Sequence, residues 1–85
     1  MREIIIEVTK IKGKKKEDYV INGGISGAKV ETAKNKVTEL IIPVKILSFA
    51  SSADTYSTNF WIDKGETHLS LPEFDDSVTF VFLTL

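Results

Sequence analysis

The segment VTFVFLTL, residues 78–85, is the last strand that the sequence predicts. Its large apolar side chains occur on both phases of a two-residue repeat, the period of a β-strand. The two phases are Val78, Phe80 and Phe82, and Val81, Leu83 and Leu85. An antiparallel strand with one face in water carries apolar residues on alternate positions only. Residues 78–85 therefore predict a strand that is covered on both faces.

Shorter alternating segments precede this strand and are separated by turn signals. They lie at about 2–12, 18–21, 39–49, 56–63 and 67–71. Pro43 cannot donate a ladder hydrogen bond, so its strand should lie at a sheet edge or contain a bulge. Residues 28–36 fit either a short helix or a strand, and the β-branched Val30 and Thr32 favour the strand. The pattern predicts an all-β fold with at most one short helix: a small antiparallel β-sandwich or a partly open barrel of six or seven strands.

The length and composition predict one domain over residues 1–85. The chain has 85 residues, 42% of them hydrophobic, and no cysteine. A second core would leave too little chain for either. Without cysteine there are no disulfides, thiolate metal ligands or thiol nucleophiles, and the hydrophobic core must stabilise the fold alone.

The charges are separated along the sequence although the net charge is only −1. Residues 1–16 hold six basic and two acidic residues, a balance of +4, and residues 46–85 hold one lysine and six acidic residues, a balance of −5. Two interpretations of these oppositely charged regions are open: they are two solvated hairpin ends, or they are poles that steer association. The residues expected to steer are Lys14, Lys15, Lys16, Asp75 and Asp76.

Seven large apolar side chains are out of phase with the better-filled face of their segments or continue the second face of the last strand. They are Ile5, Ile41, Leu47, Trp61, Val81, Leu83 and Leu85. A two-layer fold of this size covers one face of each sheet, so this set needs another cover. The cover could be a helix, loops or barrel curvature within the monomer, a second copy of the chain, or a different protein. We expect these seven residues to form an interface.

Catalytic and cofactor chemistry have few candidate residues, so we expect no enzyme and no cofactor. His68 is the one histidine, and an exposed strand residue is its simpler interpretation. Zinc would have to bind almost wholly through oxygen atoms. The acidic residues around Asp75 and Asp76 lack the ordered spacing of a calcium loop, and the glycines at 23–27 lack the spacing of a phosphate-binding loop.

The alternative function is that of a small barrel that binds single-stranded nucleic acid. The segment Lys10–Lys16 could follow phosphates, and aromatic side chains could stack on bases. The stacking candidates are Tyr19, Tyr56, Phe60 and Trp61. Tyr56 and Phe60 share a phase with Ile62, which more simply places them in the core. The acidic second half would repel a polyanion, so nucleic acid is the less favoured partner.

The favoured function is therefore a non-enzymatic structural or protein-interaction module that binds itself or another protein through an apolar sheet face. A phage or virion accessory protein, or a short inhibitor, is a setting that suits this size and composition. The sequence shows neither a signal peptide nor an apolar run long enough for a membrane span. We therefore expect an intracellular soluble or virion-associated protein.

Overall fold

A computed structural model of the chain describes residues 1–12, 15–34, 36–53 and 59–85. These residues form two four-stranded antiparallel sheets packed together as a small β-sandwich. The strands are β1 (Arg2–Lys10), β2 (Tyr19–Gly23), β3 (Lys29–Ala33), β4 (Lys36–Ile42), β5 (Ser48–Ser51), β6 (Phe60–Asp63), β7 (Glu66–Ser70) and β8 (Ser77–Thr84). The all-β prediction is confirmed as a sandwich, with eight strands in place of the six or seven expected.

The first and last strands lie side by side in the middle of one sheet. Sheet A has the order β2-β1-β8-β5 and sheet B the order β3-β4-β7-β6. Strands β1 and β8 pair over eight positions, from Arg2 opposite Thr84 to Thr9 opposite Ser77. Edge positions are left to β2 and β5 in sheet A and to β3 and β6 in sheet B.

The core lies between the sheets and follows the alternation of the strands. Every second residue of β1 and β8 points inward, and these side chains meet the inner residues of sheet B. The central members are Ile4, Ile6, Val8, Val78, Phe80, Phe82, Val30, Leu40, Ile42 and Leu69. Phe80 and Phe82 are fully buried, and Phe49 packs against both rings. Strand β8 therefore supplies the largest fully buried side chains of the core, Phe80 and Phe82.

The long strand expected over residues 39–49 is wrong, because the chain leaves sheet B at Pro43. Strand β4 ends at Ile42, and β5 begins at Ser48 in the other sheet. A proline has no N–H for the ladder, so pairing stops there. The edge or bulge expected at Pro43 is in fact a crossing between the two sheets.

Two buried threonines hold this crossing segment from opposite sides. The Thr67 hydroxyl of sheet B donates to the Val44 carbonyl (2.6 Å) and accepts from the Ile46 N–H (3.1 Å). The Thr84 hydroxyl of sheet A donates to the Lys45 carbonyl (2.6 Å). Buried backbone groups outside a ladder need such partners, so the threonines let the irregular segment pass between the layers.

The other local predictions concern residues 28–36 and the turns between strands. Residues 29–33 form β3, so the strand interpretation of 28–36 is confirmed, and the described residues contain one 3-10 turn, Lys16–Asp18, and no other helix. The expected turn after β6 is present, with positive φ at Lys64 (52°) and Gly65 (81°). Gly13, Lys14, Asn35 and residues 54–58, where a turn and the start of a strand were expected, lie outside the described residues.

Thr67→Val should destabilise the fold because it leaves the Val44 carbonyl and the Ile46 N–H buried without their partner. We expect the free energy of unfolding to fall by about 1–3 kcal/mol, measured by urea denaturation. Thr67→Ser keeps the hydroxyl and should lose clearly less. Equal losses in the two variants would show that the hydrogen bonds do not hold the crossing.

Candidate functional site

Three apolar side chains stand in the middle of the outer face of sheet A. Ile5 lies opposite Val81, and Leu83 is the next residue of β8 on the same face. Ile5 is 51% exposed, and Val81 and Leu83 are partly exposed. These three residues, which we call the apolar ridge, lie on the two central strands of their sheet, where an outward side chain has neighbouring strands on both sides.

Small residues flank the apolar ridge on both sides. On the β5 side, Ala50 is paired with Val81 and Ser48 with Leu83. On the β2 side, the Gly24 N–H donates to the Ile5 carbonyl (3.1 Å). Gly24 thus lies beside Ile5 on the outer face, and a Cβ built on it would meet no other atom within 4 Å. The face is therefore a line of large side chains between two shallow troughs.

Two further predicted interface residues are exposed near the Leu83 end of the ridge. The Leu47 N–H donates to the Leu83 carbonyl (2.7 Å), and the Leu47 side chain is 52% exposed. Leu85 follows β8 in phase with Leu83 and is 92% exposed. Sequence reasoning missed Met1, which is also exposed and precedes Arg2, the partner of Thr84.

The other two predicted interface residues lie on the outer face of sheet B, on the opposite side of the sandwich. Ile41 pairs with His68, and His68 pairs with Trp61. Ile41 is buried, and Trp61 stacks on the His68 ring with centroids 5.6 Å apart and planes 15° apart. The structure therefore divides the seven residues between two surfaces.

Polar groups surround the Trp61–His68 stack. The His68 Nδ1 atom and the Glu39 Oε1 atom are hydrogen-bonded at 2.5 Å, and the Nε2 atom lies 3.7 Å from Glu66 Oε1. Among the described residues, Nε2 is buried and makes no hydrogen bond. His68 is thus covered on one side by Trp61 and held by the Glu39 carboxylate. The sequence had predicted an exposed strand residue at this position. This face thus supplies a hydrogen-bond partner for one nitrogen of its histidine, whereas the ridge on sheet A is apolar.

The structure brings the two charged regions of the sequence to one end of the sandwich. The Lys10 N–H donates to the Asp76 carbonyl (2.8 Å), which joins the end of β1 to the acidic segment before β8. Lys16 forms an ion pair with Glu31 (3.4 Å), and the Lys15 N–H donates to the Asp18 carboxylate (3.3 Å). Lys14 lies outside the described residues. The backbone contact between Lys10 and Asp76 therefore places the two charged regions next to each other, while the ion pair of Lys16 is with Glu31, outside both regions.

An open cleft of about 520 Å³ lies at this charged end. Its lining residues are Lys10, Tyr19, Lys36, Val37, Glu73, Phe74 and Asp75. Tyr19 meets the Phe74 ring edge-on at 6.1 Å, and Lys10 Nζ stands 5.7 Å above that ring. Burial raises the pKa of the Tyr19 phenol above its ordinary value of 10.0, and the nearby carboxylates of Asp18 and Glu73 raise it further.

The residues of the nucleic-acid alternative do not share one surface. Tyr19 lies at the charged end beside acidic groups, and Trp61 lies on the outer face of sheet B. Phe60 packs edge-on against Phe49 at 5.9 Å and is only partly exposed. Tyr56 lies outside the described residues. The described residues of this alternative do not form one continuous basic and aromatic surface. Nucleic-acid binding therefore stays a prediction.

Comparisons of the chain with protein-family models, with curated proteins and with solved structures each found no match. Within residues 1–12, 15–34, 36–53 and 59–85, no group of three or more His, Cys, Asp or Glu side chains is placed to hold a metal ion. In the same part of the chain, no helix has the length and apolar character needed to cross a membrane. The function is therefore inferred from the physical features of the surface.

The phenol of Tyr19 should ionise at a higher pH than free tyrosine. Tyr56→Phe makes Tyr19 the one tyrosine, so the phenolate absorbance during a pH titration reports its pKa. Adding Asp18→Asn should lower this pKa, because one repelling carboxylate is removed. Since the folded state holds the phenol proton more tightly than the unfolded chain, the contribution of Tyr19 to stability is lost as pH rises through its folded pKa. A midpoint at or below that of free tyrosine would contradict the burial of this group.

Proposed function

We propose that the chain is a non-enzymatic interaction module that self-associates through the apolar ridge on the outer face of sheet A. The observation that supports this proposal is the central position of Ile5, which is half-exposed, beside the partly exposed Val81 and Leu83. Removing the remaining exposed area of a half-exposed Ile from water contributes about 1 kcal/mol, and the smaller exposed areas of Val81 and Leu83 add to it. Phage or virion accessory proteins and short inhibitors are the setting that we propose for such a module.

The shape of this face favours a second copy of the chain as the occupant. Under a two-fold rotation the ridge of one copy can pack into the trough beside the ridge of the other, because both troughs are lined by glycine, alanine or serine. The acidic side chains of this face, Glu3 and Glu7, flank Ile5 along β1 and so lie at the two ends of the contact. The same patch then serves on both subunits, as an isologous interface requires.

The area of the face sets the expected strength of this contact. The strands of sheet A have nine, five, eight and four residues, and at about 3.4 Å per residue and about 4.8 Å between strands they present roughly 420 Å². Stable interfaces bury about 800 Å² on each partner, so the ridge alone supports a weak dimer. We therefore expect a dissociation constant in the micromolar range or weaker.

Val81→Glu should prevent this self-association, because it places an unpaired carboxylate in the centre of the contact. Sedimentation equilibrium between about 10 μM and 1 mM should show the wild-type mass rising above the 9.5 kDa of one chain, while the variant stays monomeric. Leu83→Glu should behave in the same way. Thr32→Glu, an equal change of charge at an exposed position of sheet B, should leave the association unchanged.

Circular dichroism melts of all four proteins separate loss of association from loss of folding. The outward position of Val81 predicts that its variant folds. A wild-type chain that stays monomeric across this range would overturn the proposal. Association that is equal in the wild type and a folded Val81→Glu variant would also overturn it, because the contact would then use another surface.

A further inference from the structure

Strand β2 is the least protected of the four edge strands in the described part of the chain. Its sequence, YVING, contains no charge and no proline, and it lies in the charge-free segment 19–28. Proteins block strand addition at exposed edges with charged side chains, bulges or very short strands. Such features occur on the other edges: β3 carries Lys29, Glu31 and a register shift, and β5 and β6 have four residues each.

The register of β1 and β2 shows which backbone groups face away from β1. The Ile11 N–H donates to the Asp18 carbonyl (2.7 Å), and the Gly24 N–H donates to the Ile5 carbonyl (3.1 Å). Hydrogen-bonded pairs alternate along an antiparallel ladder. Between these two bonds, the residues of β2 that bond to β1 are therefore Val20 and Asn22, opposite Thr9 and Glu7.

The intervening residues, Ile21 and Gly23, direct both backbone groups away from β1. The Tyr19 carbonyl points to the same side, whereas the Tyr19 N–H already donates to the Lys16 carbonyl in the 3-10 turn. Strand β2 therefore offers two donors and three acceptors along its free edge. An antiparallel strand laid against this edge would use them.

A groove of about 480 Å³ lies beside the same edge, between β2 and β3. Its lining includes Tyr19, Ile21, Ala28 and Val30, with Lys16, Glu17 and Lys29 at its margin. Both Tyr19 and Ile21 are partly buried and pack against the core. An apolar side chain on the inner face of an added strand would enter this groove and extend the core.

We infer that β2 is a docking edge at which a second copy of the chain pairs antiparallel, about a two-fold axis through Ile21. In this register, Ile21 exchanges two hydrogen bonds with the partner's Ile21, and each Gly23 N–H donates to the Tyr19 carbonyl of the other chain, giving four bonds. Tyr19 lies opposite the partner's Gly23, where the absence of a side chain leaves room for the ring. Val20 lies opposite the partner's Asn22 on the outer face, so no charges are opposed.

This fit is what favours a second copy over an unrelated segment. The inference deepens the proposed self-association, but it uses β2 and not the apolar ridge, so either contact can fail while the other stands. Amide hydrogen exchange followed by NMR distinguishes them. The Ile21 and Gly23 amides should exchange at least about tenfold more slowly at a concentration where the dimer is populated than at high dilution, because they are bonded only in the dimer. The Val20 and Asn22 amides should be protected at both concentrations.

A matched pair of double variants tests the register. Val20→Lys with Asn22→Lys places like charges opposite each other twice across the axis, and should raise the dissociation constant about tenfold or more. Val20→Glu with Asn22→Lys places opposite charges in the same positions and should restore association to within about threefold of the wild type. Both pairs share Asn22→Lys, which lies opposite Glu7 within the monomer, and circular dichroism melts check that both fold.

The results separate this inference from the proposed function. Concentration-dependent protection of Ile21 and Gly23 that persists in Val81→Glu supports the edge contact even where the ridge contact fails. Association with unchanged exchange at Ile21 and Gly23, or equal dissociation constants for the two double variants, would overturn the edge contact and leave the ridge in place. A wild-type chain that is monomeric at all concentrations would overturn both.

Discussion

Both sheets of the sandwich rely on the pairing of β1 with β8. It joins the first and last strands over eight positions in the middle of sheet A. The inner side chains of these two strands include the fully buried Phe80 and Phe82, and β2 and β5 each pair with one of them. Without this pairing sheet A has no centre, and the inner face of sheet B has nothing to pack against. Because it closes a loop of most of the chain, its entropic cost must be met by the core that it completes.

The same pairing produces the apolar ridge. Side chains of a strand alternate between faces, so a register that turns Phe80 and Phe82 inward must turn Val81 and Leu83 outward. Ile5 is placed beside them by the β1 register. Water-exposed positions at the centre of a sheet tolerate polar residues, as Glu7 and Thr79 show one row further along. The alternation of the strands therefore does not by itself require apolar residues at the ridge, and the proposed function gives them a role.

The sequence predicted the elements whose signals are local. The two-residue period at 78–85, the turn before Glu66 and the β-branched residues at 30 and 32 each depend on a few neighbouring positions, and the structure bears them out. Pro43 was expected to mark an edge or a bulge within one strand, whereas the chain changes sheet there, and that crossing depends on Thr67 and Thr84, which are distant in sequence. A pattern of apolar and polar residues carries no sign of those hydroxyl contacts.

The candidate interface was harder to predict because phase along a strand does not identify the sheet. Ile41 and Ile5 are both out of phase with a well-filled face, yet they lie on opposite sides of the sandwich. The positions of the charged residues likewise depend on strand register, since the β1–β8 pairing places Lys10 next to Asp76. Strand order, which is a property of the whole chain, decides both outcomes.

The two contacts proposed for self-association reinforce each other geometrically. Pairing at β2 would join two copies of sheet A into one eight-stranded sheet, in which both apolar ridges lie on the same continuous outer face. The area available for a sheet-on-sheet contact then doubles from roughly 420 Å² to about 850 Å² per side, which reaches the size of a stable interface. A ridge that holds two monomers together only weakly would hold two edge-paired dimers more firmly. Weak contacts on different surfaces of a small domain can in this way yield a stable assembly without either contact being strong alone.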